Sequence, residues 1–276
     1  MRLSLAAALS ALLASPAAAA QVPPASKPEL RDIATAPSAE RIEADIRMLV
    51  SFGTRHTLSG TESDTRGIGA ARRWIHAEFE RISAACGGCL EVRYSRDVVS
   101  GEDRIPDPVE VVSVIAIQRG NADPDRYVIM SGDIDSRVTD PMNATSDSPG
   151  ANDNASGVAG TLEAARVLTR YDFPGTIVYA ALAGEEQGLF GGKILAAEAK
   201  DAGWRIEAVI NNDMIGNISG INGVTDNTTA RVFSEGTRAA SIVPATPEAL
   251  SLAPGESDVA FIGSDTRESM SPLMTT

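Results

Sequence analysis

Tyr179-Ala-Ala-Leu-Ala-Gly-Glu-Glu-Gln-Gly-Leu-Phe-Gly-Gly192 sets an apolar, strand-like run against two adjacent carboxylates. The run covers residues 176–182 and stops at a small residue and a glycine just before Glu185 and Glu186. Neighbouring side chains in an extended or turning segment point different ways. One carboxylate of such a pair can bind a metal while the other handles a proton. A glutamate doublet by itself is ordinarily solvated surface, because Glu is seldom buried unpaired. Here three other acidic stations stand at comparable places, and they change the reading.

Working outward, residues 39–48 carry apolar positions at helical spacing, continued by Leu49 and Val50. Residues 52–60 read as a loop holding His56, and residues 62–82 as a long amphipathic helix with Ile68, Ala71, Ile75, Phe79 and Ile82 on one stripe. Residues 90–94, 109–117, 127–130, 176–182 and 206–211 read as strands, and residues 154–168 and 189–200 as helices. Strands alternating with helices predict an α/β fold, with a mixed, mostly parallel central sheet flanked by helices. In such sheets, sites form beyond the carboxyl ends of the strands. Past residue 130 come Asp133 and Asp135, past residue 182 come Glu185 and Glu186, and past residue 211 comes Asp213. Asp153 stands at a helix entry, where capping alone would account for it. Capping does not account for the strand-end set. Acids crowded at adjacent strand ends are tolerable with cations between them, so the pattern points to a joint metal site.

Bulk composition bounds the rest. The chain has 276 residues, 43% of them hydrophobic, which is enough for one large domain or two small ones. Residues 1–20 carry one positive charge, a short apolar core and a small-residue end, the pattern of a secretory signal peptide. The apolar run is too short for a membrane span, so the mature protein is expected to be exported, periplasmic or secreted, with no membrane span. Residues 21–36 read as a Pro-, Ala- and Ser-rich tether, and residues 37–276 as a single domain that is divergent or truncated over 218–276. Loss of Arg2 with the leader takes the formal charge from −13 to −14. That charge repels phosphate backbones and argues against nucleic acid as a partner. Cys86 and Cys89 supply half of a tetrahedral zinc site, and export favours a local disulfide instead. Nothing in the sequence encodes an oligomeric state.

The four acidic motifs are Ser131-Gly-Asp-Ile-Asp-Ser136, Pro149-Gly-Ala-Asn-Asp-Asn-Ala-Ser-Gly157, Ala183-Gly-Glu-Glu-Gln-Gly188 and Asn212-Asp-Met-Ile-Gly216. In kind, order and interval they resemble the M28 family of zinc aminopeptidases. The resemblance implies a peptide substrate and two zinc ions, with manganese or another divalent ion as alternatives. It implies Asp153 as the bridging ligand, Glu186 on one ion, Asp213 on the other, and Asp133 at the first ligand position. Glu185 would be the general base, and Asp135 would stand behind the ligands and orient the one two residues before it. The peptide bond after Asp153 is expected to be cis.

Two positions depart from the resembled pattern. The family has His, within Gly-His-x-Asp, where this chain has Asp133. It also has a last His ligand near its C-terminus, and no His follows residue 217 here; Ser257-Asp258-Val259 keeps the Ser-Asp without it. Oxygen-only ligation would shift preference toward harder ions such as manganese or magnesium. The chain's two histidines, His56 and His76, read as structural. Three functions remain open at this point: an exported aminopeptidase, a catalytically impaired relative that keeps the fold for binding, and glutaminyl cyclisation on the same scaffold.

Overall fold

A computed structural model describes residues 28–220 and 223–226, together with the strand Ala260–Ile262. The expected leader and the Ser257-Asp258-Val259 stretch lie outside the described residues. The chain divides into two compact units, residues 1–35 and 36–276. The first contains helix α1 (Pro28–Thr35), which occupies part of the segment read as a tether.

In the second unit the order is α2 (Ala39–Ser51), α3 (Gly67–Ala85), β1 (Leu90–Val99), β2 (Val109–Gln118), β3 (Asp123–Asp133), α4 (Gly157–Leu168), β4 (Gly175–Leu182), α5 (Glu185–Gly188), α6 (Phe190–Asp201), β5 (Arg205–Asn212) and β6 (Ala260–Ile262). The strands form one sheet in the order β1-β2-β4-β3-β5-β6. β1/β2 and β2/β4 are antiparallel, whereas β4/β3, β3/β5 and β5/β6 are parallel. This is the mixed, mostly parallel α/β sheet expected from the alternation of elements. α4 joins β3 to β4, and α5 and α6 join β4 to β5, because a parallel connection must cross a whole sheet face.

The two-residue period of the strands sorts the core into two layers. Val114 and Ala116 of β2, with Tyr179 and Ala181 of β4, pack against Ile75 and Phe79 of α3 and Leu162 of α4. Their neighbours Ile115, Ile117, Val178 and Ala180 join Ile129 and Val209 under Leu195 of α6. Trp74 borders the first layer, with its ring centroid 6.5 Å from that of Phe52. Trp204 borders the second and stacks on Tyr127 at 4.4 Å. Among the described residues no helix is long and apolar enough to cross a membrane.

Element ends differ from the sequence reading for local reasons. α3 begins at Gly67 rather than at residue 62. The Ser63 hydroxyl accepts from the Thr65 and Arg66 amides, and Arg73 donates to the Thr61 and Ser63 carbonyls, so this segment is a turn fixed by side chains. α4 begins at Gly157 rather than at residue 154, because a wide turn over Ala151–Ser156 with non-helical Asp153 and Asn154 precedes it. The stripe on α3 is as read: Ile68, Ala71, Ile75, Phe79 and Ile82 are all buried. Cys86 and Cys89 are disulfide-bonded, closing the turn from α3 into β1. Gly87 and Gly88 between them sit at φ 77° and 88°, where L side chains are disfavoured.

Gly132, one residue before the end of β3, sets how close α4 comes to the sheet. A Cβ there would meet the Gly157 carbonyl carbon at 2.4 Å and the Val158 nitrogen at 2.6 Å, both backbone. Gly132→Ala is therefore expected to push α4 off β3 and cost about 1–3 kcal/mol. A lowered urea midpoint with an unchanged slope checks this; an unchanged midpoint would show that the helix start yields freely.

Candidate functional site

The carboxyl ends of β3, β4 and β5 lie level. Gly132 is in register with Ala181 on one side and with Asn212 on the other. Asp133 is therefore at the end of β3, Glu185 and Glu186 follow β4, and Asp213 follows β5. The turn before α4 brings Asp153 to the same place, and its peptide bond to Asn154 is cis, as the resemblance implied.

Electrostatics show that the six acids share one field. Burial raises the Asp133 carboxyl well above the usual carboxylate range, helped by Asp135 and Asp213 and opposed by hydrogen bonds from Asn154 and Asn211. Burial first, then Asp133, Asp135, Glu186 and Asp213, pushes Glu185 up to about 9. Burial, then Glu186, Asp213 and Asp135, pushes Asp153 up to about 6, with Arg137 opposing. Asp135 is also raised by burial, but its hydrogen bonds oppose the shift.

Those hydrogen bonds give Asp135 its place. It accepts from the Glu185 amide at 3.2 Å, the Glu186 amide at 3.0 Å and the Thr57 hydroxyl at 2.9 Å. These bonds hold the start of α5, which carries the glutamate pair. The Asn154 amide donates to Asp133 Oδ2 at 3.1 Å and to the Asn212 carbonyl at 2.9 Å. Its Oδ1 accepts from the amides of Gly157 and Met214, tying the start of α4 to the exit of β5. Glu186 pairs with Arg137 through its side chain. The Glu186 carbonyl accepts from Arg104 at 2.6 Å.

Both histidines are committed elsewhere. His56 is fully buried; its Nδ1 accepts from the Leu58 amide at 3.0 Å, so Nε2 carries the hydrogen toward the Pro141 carbonyl at 3.0 Å. The His76 ring stacks on Tyr94 with centroids 4.7 Å apart.

Among the described residues no three His, Cys, Asp or Glu side chains form a ready cage for an ion. The acids are neighbours whose oxygens are held by Asn154 and Arg137. The donor set still suits a divalent cation in kind, since several carboxylates are held near one another at a cost that positive charge would remove. Sequence reasoning missed Thr57, Arg104, Arg137 and Asn154. Only Asn154 had a signal, as the neighbour of Asp153 within a motif.

The site is an acid-rich centre beyond the parallel strands of a mixed sheet, with a pair of adjacent glutamates at its edge. The chain belongs to peptidase family M28, whose sequence model matches residues 113–269 and so covers all six acids. A relative named "Probable zinc metalloprotease" from Pyrenophora teres f. teres is 46% identical over 215 residues, which are 78% of this chain and 44% of the relative. The chain thus spans less than half the length of that relative. In fold it is similar to the Legionella pneumophila LapA aminopeptidase, with a TM-score of 0.51 and 21% identity over 66% of this chain and 44% of that one. It is also similar to Porphyromonas gingivalis glutaminyl cyclase, with a TM-score of 0.54 and 21% identity over 67% and 64%.

Proposed function

We propose that this chain is a zinc-dependent peptidase of the aminopeptidase type, exported after loss of residues 1–20. The observation that carries the reading is the gathering of carboxyls, Asp133 and Asp135 among them buried, at the level ends of β3, β4 and β5 and in the turn before α4. A fold keeps such a cluster at a cost in stability unless positive charge relieves it. Asp153 would bridge two zinc ions, with Asp133, Glu186 and Asp213 as the remaining carboxylate ligands. When bound, the ions would supply Lewis-acid polarisation of the scissile carbonyl and a lowered pKa for the attacking water. Glu185 would take the proton from that water and return it to the leaving amine. Asp135 and Thr57 would keep Glu185 in place through the α5 backbone, and Arg137 would give up Glu186.

A second reading has the chain bind peptides without turning them over. Asp133 and Glu186 support it, since each already has a partner in Asn154 and Arg137. Metal content per mature chain, with Asp153→Ala as control, separates the two when followed by an amine-release assay. About two ions and turnover support the first reading; metal-free chains with retained peptide binding support the second. An N-terminus at Gln21 on protein recovered outside the cytoplasm would support export.

A pH dependence follows. Glu185 rises from 4.5 to about 9 and Asp153 from 3.8 to about 6 on folding. Between those values the folded chain binds more protons than the unfolded chain, so the metal-free fold loses stability as pH rises. Zinc should cancel that slope. The gain in melting temperature on adding zinc is expected to be larger at pH 8 than at pH 5, and equal gains would count against Asp153 as part of the zinc site.

A further inference from the structure

Arg55 is only 1% exposed, and it heads the largest fully buried side chains. Guanidinium is rarely taken so far from water without a carboxylate at hand. Among the described residues Arg55 makes no ion pair. Its hydrogen bonds go to main-chain carbonyls instead. Nε donates to Ile134 at 2.8 Å, Nη1 to Leu49 at 3.1 Å and Pro149 at 2.8 Å, and Nη2 to Gly150 at 2.9 Å. Four of the five guanidinium N–H groups are thus used.

These acceptors are not scattered. Ile134 lies between Asp133 and Asp135 on the exit of β3. Pro149 and Gly150 lead into the turn that carries Asp153. Leu49 belongs to α2, whose hydrogen-bonded turns make it a fixed anchor. One rigid fork therefore spans both acid-bearing arms and holds them to the same helix. The neighbouring residues brace the same junction. The Arg55 amide donates to the Ser136 hydroxyl at 3.3 Å, and that hydroxyl donates to the Ser148 carbonyl at 2.7 Å. Thr54 and Ser148 join their hydroxyls at 2.9 Å. Gly150, at φ 47°, has its Cα so close to the fork that a Cβ would lie 2.9 Å from Nη2. The counter-charge for the buried cation comes through space from Asp135 and Asp153, one on each arm.

We propose that Arg55 is a positioning residue that fixes the separation of the two arms of the site, the β3 exit bearing Asp133 and Asp135 and the turn bearing Asp153. Lysine keeps the charge but has one nitrogen with three N–H groups, which cannot reach all four carbonyls. The proposal rests on the metallopeptidase reading only in its zinc arm.

The test compares Arg55→Lys with Arg166→Lys in the full mature chain. Arg166 is a second largely buried arginine, bound to Asp45, Glu78 and Glu163 on α2–α4 and away from the site. Both variants are expected to melt earlier than wild type. Hydrogen exchange of metal-free protein should rise at least about tenfold at residues 150–156 in Arg55→Lys alone, and zinc affinity by chelator competition should fall about tenfold in that variant alone. Equal exchange and equal zinc affinity in the two variants would overturn the proposal. If wild type binds no zinc, the metallopeptidase reading fails and the exchange comparison still decides this one. If Arg55→Lys does not fold, Ser136→Ala removes one brace of the same junction. It should show the same pattern with smaller changes, and unchanged exchange at 150–156 would count against the proposal.

Discussion

Glu185→Gln should keep its full complement of metal and lose turnover by about 100- to 10,000-fold, the range for removal of a positioned general base. The substitution preserves shape and removes the ability to take a proton. Glu185 feels the charges of Asp133, Glu186 and Asp213 but is not itself assigned as a ligand, so metal retention is the expected half of the result. Its amide would still donate to Asp135, because that bond belongs to the main chain. KM should change little, since the effect falls on the chemical step. Metal content by elemental analysis and kcat on an aminoacyl anilide check both halves. Loss of metal along with activity would make Glu185 a ligand and return the base to some other group.

Asp153→Ala is expected to remove the metal itself and bring amine release to background. Asp153 would be a shared ligand of the proposed centre, so its loss would weaken metal binding directly. The same variant should not weaken the metal-free fold at pH 8. Asp153 is pushed up to about 6 by burial and by Glu186, Asp213 and Asp135, so removing it takes one charge out of a repelling group. Lost zinc with an equal or higher metal-free melting temperature is thus the expected pair of results. Equal zinc content in wild type and variant would sink the ligand assignment.

Much of this arrangement was legible in the sequence, for an identifiable reason. Apolar runs of strand length have to stop where the sheet stops, so the acids after residues 130, 182 and 211 declare themselves as strand-end residues. The core stripe on α3 was legible because helical periodicity survives in any helix that buries one face. Groups that work through the main chain were not legible. Thr57 and Arg55 lie far from Asp135, Pro149 and Gly150 in sequence, and a carbonyl acceptor leaves no mark on the residue type that carries it. Asn154 looked like part of the Asp153 motif, yet it bonds Asp133, the β5 exit and the α4 start. The start of α3 was misplaced because Glu62 and Ser63 suit a helix in composition, whereas the Ser63 hydroxyl and Gly67 at φ 87° settle on a turn.

The placement of the chain's two tryptophans has a practical consequence. Trp74 borders the layer built on α2, α3 and α4, whereas Trp204 lies flat on Tyr127 in the layer under α6, with ring planes 5° apart. Each face of the sheet therefore carries its own intrinsic fluorophore. In a Trp74→Phe background the remaining emission follows the α6 side, and in Trp204→Phe it follows the opposite side. The order in which the two layers come apart during denaturation can then be watched by light alone, without an attached label.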